Sequence, residues 1–114
     1  MNTNITITPA SGTWVVRAGG AVIGETTRAM ELLESGCPPV IYFPREDVEM
    51  AFLDATDYSM SSPSKGEASY YSIVAKSGSI DNVAWSYENP PEDMSRIAGH
   101  LAFHAGEKVT VERL

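Results

Sequence analysis

Apolar runs in this chain are short, and glycine or proline closes most of them, which points to strands more than to helices. Residues 40–43 (Val-Ile-Tyr-Phe) sit between Pro38-Pro39 and Pro44, leaving room for only a brief strand. Residues 4–8 alternate Ile with polar side chains at period two, as a half-buried strand does. Residues 13–17 and 21–24 flank Gly19-Gly20, a dipeptide that supports a two-residue hairpin turn. Residues 68–75 and 83–87 are strand-like, with a turn over 76–79 after the first. Residues 101–103 and 109–111 close the chain, joined across Gly106. The pattern predicts a mainly β domain.

Helical signal is confined to three short stretches. Residues 28–35 carry Ala29, Met30, Leu32 and Leu33 at helical spacing, with Thr27 as N-cap and Gly36 as the residue after the C-cap. A bent strand accommodates the same residues. Residues 45–53 put Glu46 and Asp47 in a first turn, where the helix dipole favours acids, and Val48, Phe52 and Leu53 on one face. Residues 92–97 follow Pro90-Pro91 as a third short helix. The Ser-rich stretch 58–69, with Pro63 and Gly66, reads as an ordered loop.

At 114 residues the chain suits one domain, 1–114, around one core. Eight Lys and Arg against fifteen Asp and Glu give a net charge of -7. That balance argues against nucleic acid and anionic membranes as partners, since both reward a basic surface. No apolar run approaches the roughly 20 residues of a membrane helix. Residues 1–10 lack the basic and apolar regions of a secretory signal, so a cytoplasmic protein is expected. The single cysteine, Cys37, excludes an internal disulfide and any multi-cysteine zinc site. Preceding Pro38-Pro39, it is expected to be a small buried apolar residue.

Four blocks carry a family resemblance. They are Gly36-Cys37-Pro38-Pro39-Val40-Ile41-Tyr42-Phe43-Pro44-Arg45-Glu46-Asp47-Val48, then Lys65-Gly66-Glu67-Ala68-Ser69-Tyr70-Tyr71, then Ala84-Trp85-Ser86-Tyr87-Glu88-Asn89-Pro90, then Ile97-Ala98-Gly99-His100-Leu101-Ala102-Phe103. In this order, over roughly residues 21–111, they resemble the family known as domain of unknown function 427. The resemblance implies a single small antiparallel β-tent (Mss4-like) domain with one to three short helices. That scaffold is similar to those of zinc-bearing Mss4-like proteins and B-type methionine sulfoxide reductases. It implies no established activity.

The label nucleotidyltransferase-like, sometimes attached to the family, is not supported by these residues. Such transfer places two carboxylates as Asp-x-Asp to hold metal ions about 4 Å apart. Gly78-Ser79 is present but reads as a tight turn, and no Asp-x-Asp occurs. Glu46 and Asp47 are adjacent, and adjacent side chains diverge. A zinc knuckle needs Cys-x-x-Cys pairs, which this chain lacks. Where many family members carry Cys-Pro before the Lys-Gly block, this chain has Ser62-Pro63-Ser64-Lys65, so no thiol acts there. His100 and His104 flank strand-like sequence and would lie about 13 Å apart at 3.3 Å per residue, too far to chelate one ion. No metal or cofactor is expected.

Within the family-like blocks, Arg45, Glu46, Asp47, Lys65, Tyr70, Trp85, Tyr87 and His100 are the polar and aromatic residues that core packing does not explain. Each has a plain structural reading. Trp85 and Tyr87 alternate around Ser86 and suit cross-strand packing. Arg45, Glu46 and Asp47 suit a helix start, and Lys65 a solvated cation beside a conformationally special Gly66. The functional reading is that Arg45, Lys65, Tyr70, Trp85, Tyr87 and His100 converge on a site for a small anionic or planar ligand. Catalysis there would use Glu46 or His100 as base, with Lys65 stabilising negative charge. The alternative is a non-catalytic module that offers a protein partner an aromatic, Pro-rich surface or an edge strand. Apolar sheet edges also admit a homodimer, which the pattern does not specify.

Overall fold

The computed structural model describes residues 5–76 and 78–114. Among these residues ten strands form three antiparallel sheets. The first has the order β1 (Ile5–Pro9), β4 (Met30–Glu34), β5 (Val40–Tyr42). In the second, β2 (Trp14–Ala18) lies between β10 (Val109–Arg113) and β3 (Ala21–Thr26). The third is the sequential run β6 (Leu53–Ser62), β7 (Gly66–Ala75), β8 (Gly78–Tyr87), β9 (Ala102–Phe103). Among the described residues, helical structure is limited to 3-10 turns at Arg45–Asp47, Met50–Phe52 and Glu92–Ile97. No described helix is long and apolar enough to cross a membrane. The chain is mainly β, as the patterning indicates, and the expected strand at 4–8 begins at Ile5, with residue 4 outside the described range.

A bridge between Phe43 and Leu101 couples the first sheet to the third, with reciprocal backbone hydrogen bonds of 2.8 Å. Because successive side chains on a strand point to opposite faces, this joined layer feeds two cores, where the chain's length suggests one. Phe43, Ala84, Leu101 and Phe103 enter one, packed with Val16, Ile23 and Val109 of the second sheet. The rings of Phe43 and Phe103 meet edge to face there, centroids 5.8 Å apart. Tyr42, Ala102, Tyr70 and Tyr87 enter the other core with Leu32, closed by Met94 and Ile97 of the Glu92–Ile97 turn.

Matching bulges bend the long strands between these cores. The β7–β8 register shifts between Tyr71 and Ile73, and the β6–β7 register between Ala55 and Ser59. Asn82 takes a left-handed φ of 52° at this point, which Asn tolerates better than most residues. Its backbone N–H donates to Ser72 Oγ (3.1 Å) and its side-chain Oδ1 accepts from Thr56 Oγ1 (2.7 Å). One short polar chain therefore ties the bulges of three strands.

Four expectations are corrected. Residues 28–35 do not form a helix; Met30–Glu34 is a strand paired with β1 and β5. Pairing on both sides outweighs the local helical spacing, and it leaves Leu33 exposed while Leu32 is buried. The expected helix at 45–53 is two 3-10 turns, interrupted where Val48 bridges to Gly24. The stretch 58–69 is mostly a β6–β7 hairpin, with only Pro63–Lys65 between the strands. Exposed Ser pairs such as Ser59 opposite Ser69 give that hairpin no hydrophobic alternation to read. Gly78 and Ser79 open β8, opposite Ala75 and Val74, rather than forming a tight turn.

Candidate functional site

Strand register assembles one aromatic recess. Tyr70 of β7 lies directly opposite Trp85 of β8, and Tyr87, two residues on, shares the face of Trp85. Tyr42 of β5 and Leu32 and Glu34 of β4 approach from the first sheet. Cys37, Pro38 and Val40 complete the wall, and Lys65 reaches in from the β6–β7 turn, enclosing about 150 Å³.

The turn that delivers Lys65 is fixed by its own polar groups. Ser62 Oγ accepts the backbone N–H of Ser64 (3.3 Å) and of Lys65 (3.2 Å). Gly66 follows at a φ of 91°, a conformation that side chains disfavour. Lys65 Nζ then donates to Glu34 Oε1 at 2.9 Å and lies 6.0 Å from the centroid of the Tyr87 ring. This pair is well shielded, with the lysine side chain only 14% exposed.

The aromatic groups are held as tightly. Trp85 Nε1 donates to the Tyr42 phenol oxygen at 3.3 Å. The Tyr70 ring lies 6.1 Å from Trp85, and Tyr58 packs edge-on against Tyr70 at 4.8 Å. His104 covers Trp85, ring centroids 4.6 Å apart. Burial drives the Tyr42 phenol well above its ordinary range, against a smaller pull from the Trp85 N–H. Burial also raises the phenols of Tyr70 and Tyr87. All three therefore remain neutral hydroxyls at physiological pH.

Of the candidates named from the sequence, Lys65, Tyr70, Trp85 and Tyr87 line this recess, and Arg45, Glu46, Asp47 and His100 do not. Arg45 donates through Nε to the Gly99 carbonyl (3.1 Å), pairs with Glu88 (2.8 Å) and lies over the Tyr71 ring. Tyr71 donates to the same Glu88 oxygen, so Arg45 clamps the segment before β9 onto β7 and β8. Glu46 and Asp47 both accept from Arg28, and Asp47 also accepts from Thr26 Oγ1. The Glu46 carboxyl is held below its ordinary range, first by its own backbone N–H and then by Arg28, which leaves it ionised and paired. A base tuned near neutrality has the opposite character. His100 Nδ1 sits 3.2 Å from the Ala98 carbonyl, and the His104 ring rests on Trp85 instead of joining it. Among the described residues no three His, Cys, Asp or Glu side chains cluster as metal ligands would.

Cys37 is exposed at the rim of the recess, not buried, because its N–H closes a turn onto Glu34 that leaves residues 35–39 on the surface. Tyr42 and Glu34 are the hydrogen-bonding wall residues that sequence reasoning passed over, along with Leu32, Cys37, Pro38 and Val40 of the wall. Read as a strand, 30–34 puts Leu32 and Glu34 on one face, and that alternation was the available signal.

Larger hollows exist. One of about 570 Å³ lies among the β2–β3 turn, the β7–β8 end and Lys108, and one of about 390 Å³ is bounded by Glu25, Glu46, Asp47 and Glu49. The first is walled mainly by glycines and short side chains at strand ends, where Arg17 is already engaged by Glu112. A third, of about 680 Å³, runs along Ser62, Pro63, Ser64, Pro91 and Asp93 and shares Glu34 with the aromatic recess, so the two adjoin. Of these four hollows, the recess is the one whose described lining combines buried aromatic faces with a shielded ion pair.

No curated protein matches the chain. A family model does match, over residues 6–113, and the match takes in all three sheets and every wall of the recess. The chain belongs to the family described as domain of unknown function (DUF427).

Proposed function

We propose that this protein binds a small planar ligand in the recess formed by Tyr42, Lys65, Tyr70, Trp85 and Tyr87. The observation that carries the reading is convergence: three strands and a turn bring four aromatic rings and one cation to a space of about 150 Å³. A cavity of about that size takes one benzene-sized ring. Aromatic walls recognise flat faces, and a few fixed polar groups set orientation. The adjoining hollow along Ser62–Ser64 offers room for a substituent. The reading is of binding, within one acidic cytoplasmic domain, and the three sheets around two cores support the β-tent scaffold that the family resemblance implies.

Thermal-shift screening against single-ring fragments tests it. A ligand at a hundredfold its dissociation constant stabilises by about 2.7 kcal/mol. The shift should vanish in Lys65→Ala and Tyr70→Ala and persist in Arg45→Ala and His100→Ala. Shifts that ignore the recess variants, or a set with no hits, would overturn the proposal.

A second reading rests on β6, an edge strand that exposes Tyr58 and Met60. Such an edge suits strand addition by a protein partner or a second copy of the chain. Self-association or partner capture abolished by a proline in the outer half of β6, with the recess variants inert, would favour it.

A further inference from the structure

Building on the recess as a ligand site, we infer that it selects an uncharged planar ring bearing a carbonyl group over an anionic ring. The walls hold one cation and one acid, Lys65 and Glu34, already joined at 2.9 Å. An entering carboxylate would have to displace Glu34 from Lys65 or sit beside its charge. Arg45, the other cation that an anion would need, is engaged with Glu88 and the Gly99 carbonyl away from the recess. The net charge of -7 gives an anion no compensating attraction at a distance.

A neutral acceptor meets the opposite situation at Tyr42. This residue is 1% exposed, and its oxygen accepts the Trp85 N–H. Among the described residues the Trp85 N–H is the one hydrogen-bond partner found for that oxygen. A phenol is both donor and acceptor, and with its acceptor side taken by Trp85 its proton is left for a group in the recess. A ring carbonyl supplies that acceptor without bringing charge. Glu34 keeps acceptor capacity beyond its bond to Lys65, which a neighbouring ligand N–H would use. The rings of Tyr70, Trp85 and Tyr87 hold the flat faces.

Benzamide and benzoate separate the two ligand chemistries, because they match in size and differ in charge. Their dissociation constants are measured at neutral pH by NMR titration. Wild type should bind benzamide at least tenfold more tightly than benzoate. Glu34→Gln, which frees Lys65, should improve benzoate about tenfold and narrow the ratio. Tyr42→Phe should weaken benzamide by about tenfold and leave benzoate little changed. If that variant fails to fold, the wild-type ratio and its response to Glu34→Gln decide the matter. Equal or tighter binding of benzoate by wild type overturns the inference. So does a recess that takes other single-ring fragments but not benzamide, and in both cases the ligand site itself stands. If no fragment perturbs the recess, the site and the inference fall together.

Discussion

Trp85 and Tyr42 belong to different sheets, yet the indole N–H of one donates to the phenol oxygen of the other at 3.3 Å. The bond crosses the second core beside the Phe43–Leu101 bridge that couples the same two sheets. Tyr42→Phe leaves the Trp85 N–H without its partner and should cost about 1–3 kcal/mol. A double-mutant cycle with Trp85→Phe, read by urea unfolding, should give a coupling of at least about 0.5 kcal/mol. Strict additivity would mean that the contact does no structural work.

Stability should depend on pH in the alkaline range. Burial raises the phenols of Tyr42, Tyr70 and Tyr87 in the folded chain, whereas unfolded phenols ionise near pH 10. Raised folded values mean that this contribution is fully present below about pH 10 and is lost as pH rises through them. Unfolding free energy measured against pH should therefore fall above about pH 10, less steeply in Tyr42→Phe. Phenolate absorbance should show Tyr42 ionising only with unfolding.

Arg45 should matter for stability and not for the recess. Its guanidinium joins the Gly99 carbonyl, Glu88 and the Tyr71 ring, a cluster that pins the approach to β9. Arg45→Ala should cost about 1.5 kcal/mol, toward the low end for bonds to charged groups because the side chain is partly solvated. Its fragment binding should match wild type. Thermal melts beside the same fragment titration check both halves.

The β6–β7 turn should couple stability to binding. Gly66→Ala forces a side chain into a φ of 91° and should cost roughly 1–2 kcal/mol. Ser62→Ala removes the acceptor for two backbone N–H groups and should loosen the placement of Lys65. Both variants should lose fragment affinity while the first core stays intact, as amide exchange in β2 and β3 would report.

How much of this was legible follows from the range over which each signal acts. Trp85 and Tyr87 could be placed on one face because period-two alternation along β8 is local, and the family-like blocks flagged Tyr70 as well, whereas its place opposite Trp85 is set by the β7–β8 register. Glu34 could not, since helical spacing at Ala29, Met30, Leu32 and Leu33 competes with a strand that only non-local pairing to β1 and β5 selects. Arg45 was grouped with the aromatic residues because it is a cation in the family-like blocks that core packing does not require. Alternation sends Tyr42 and Phe43 into different cores, and the 3-10 turn then carries Arg45 toward Glu88. Nearness along the chain does not fix a side at a point where the backbone switches layers.

The two indoles provide the most direct test of the recess as a ligand site. Trp85 lines it, whereas Trp14 lies on β2 in another sheet with its N–H donated to the Ser11 carbonyl. In a two-dimensional NMR titration with benzamide, the Trp85 indole resonance should move saturably while that of Trp14 stays fixed. A Trp85 resonance that remains still across a single-ring fragment set, or that moves only together with Trp14, would contradict the account.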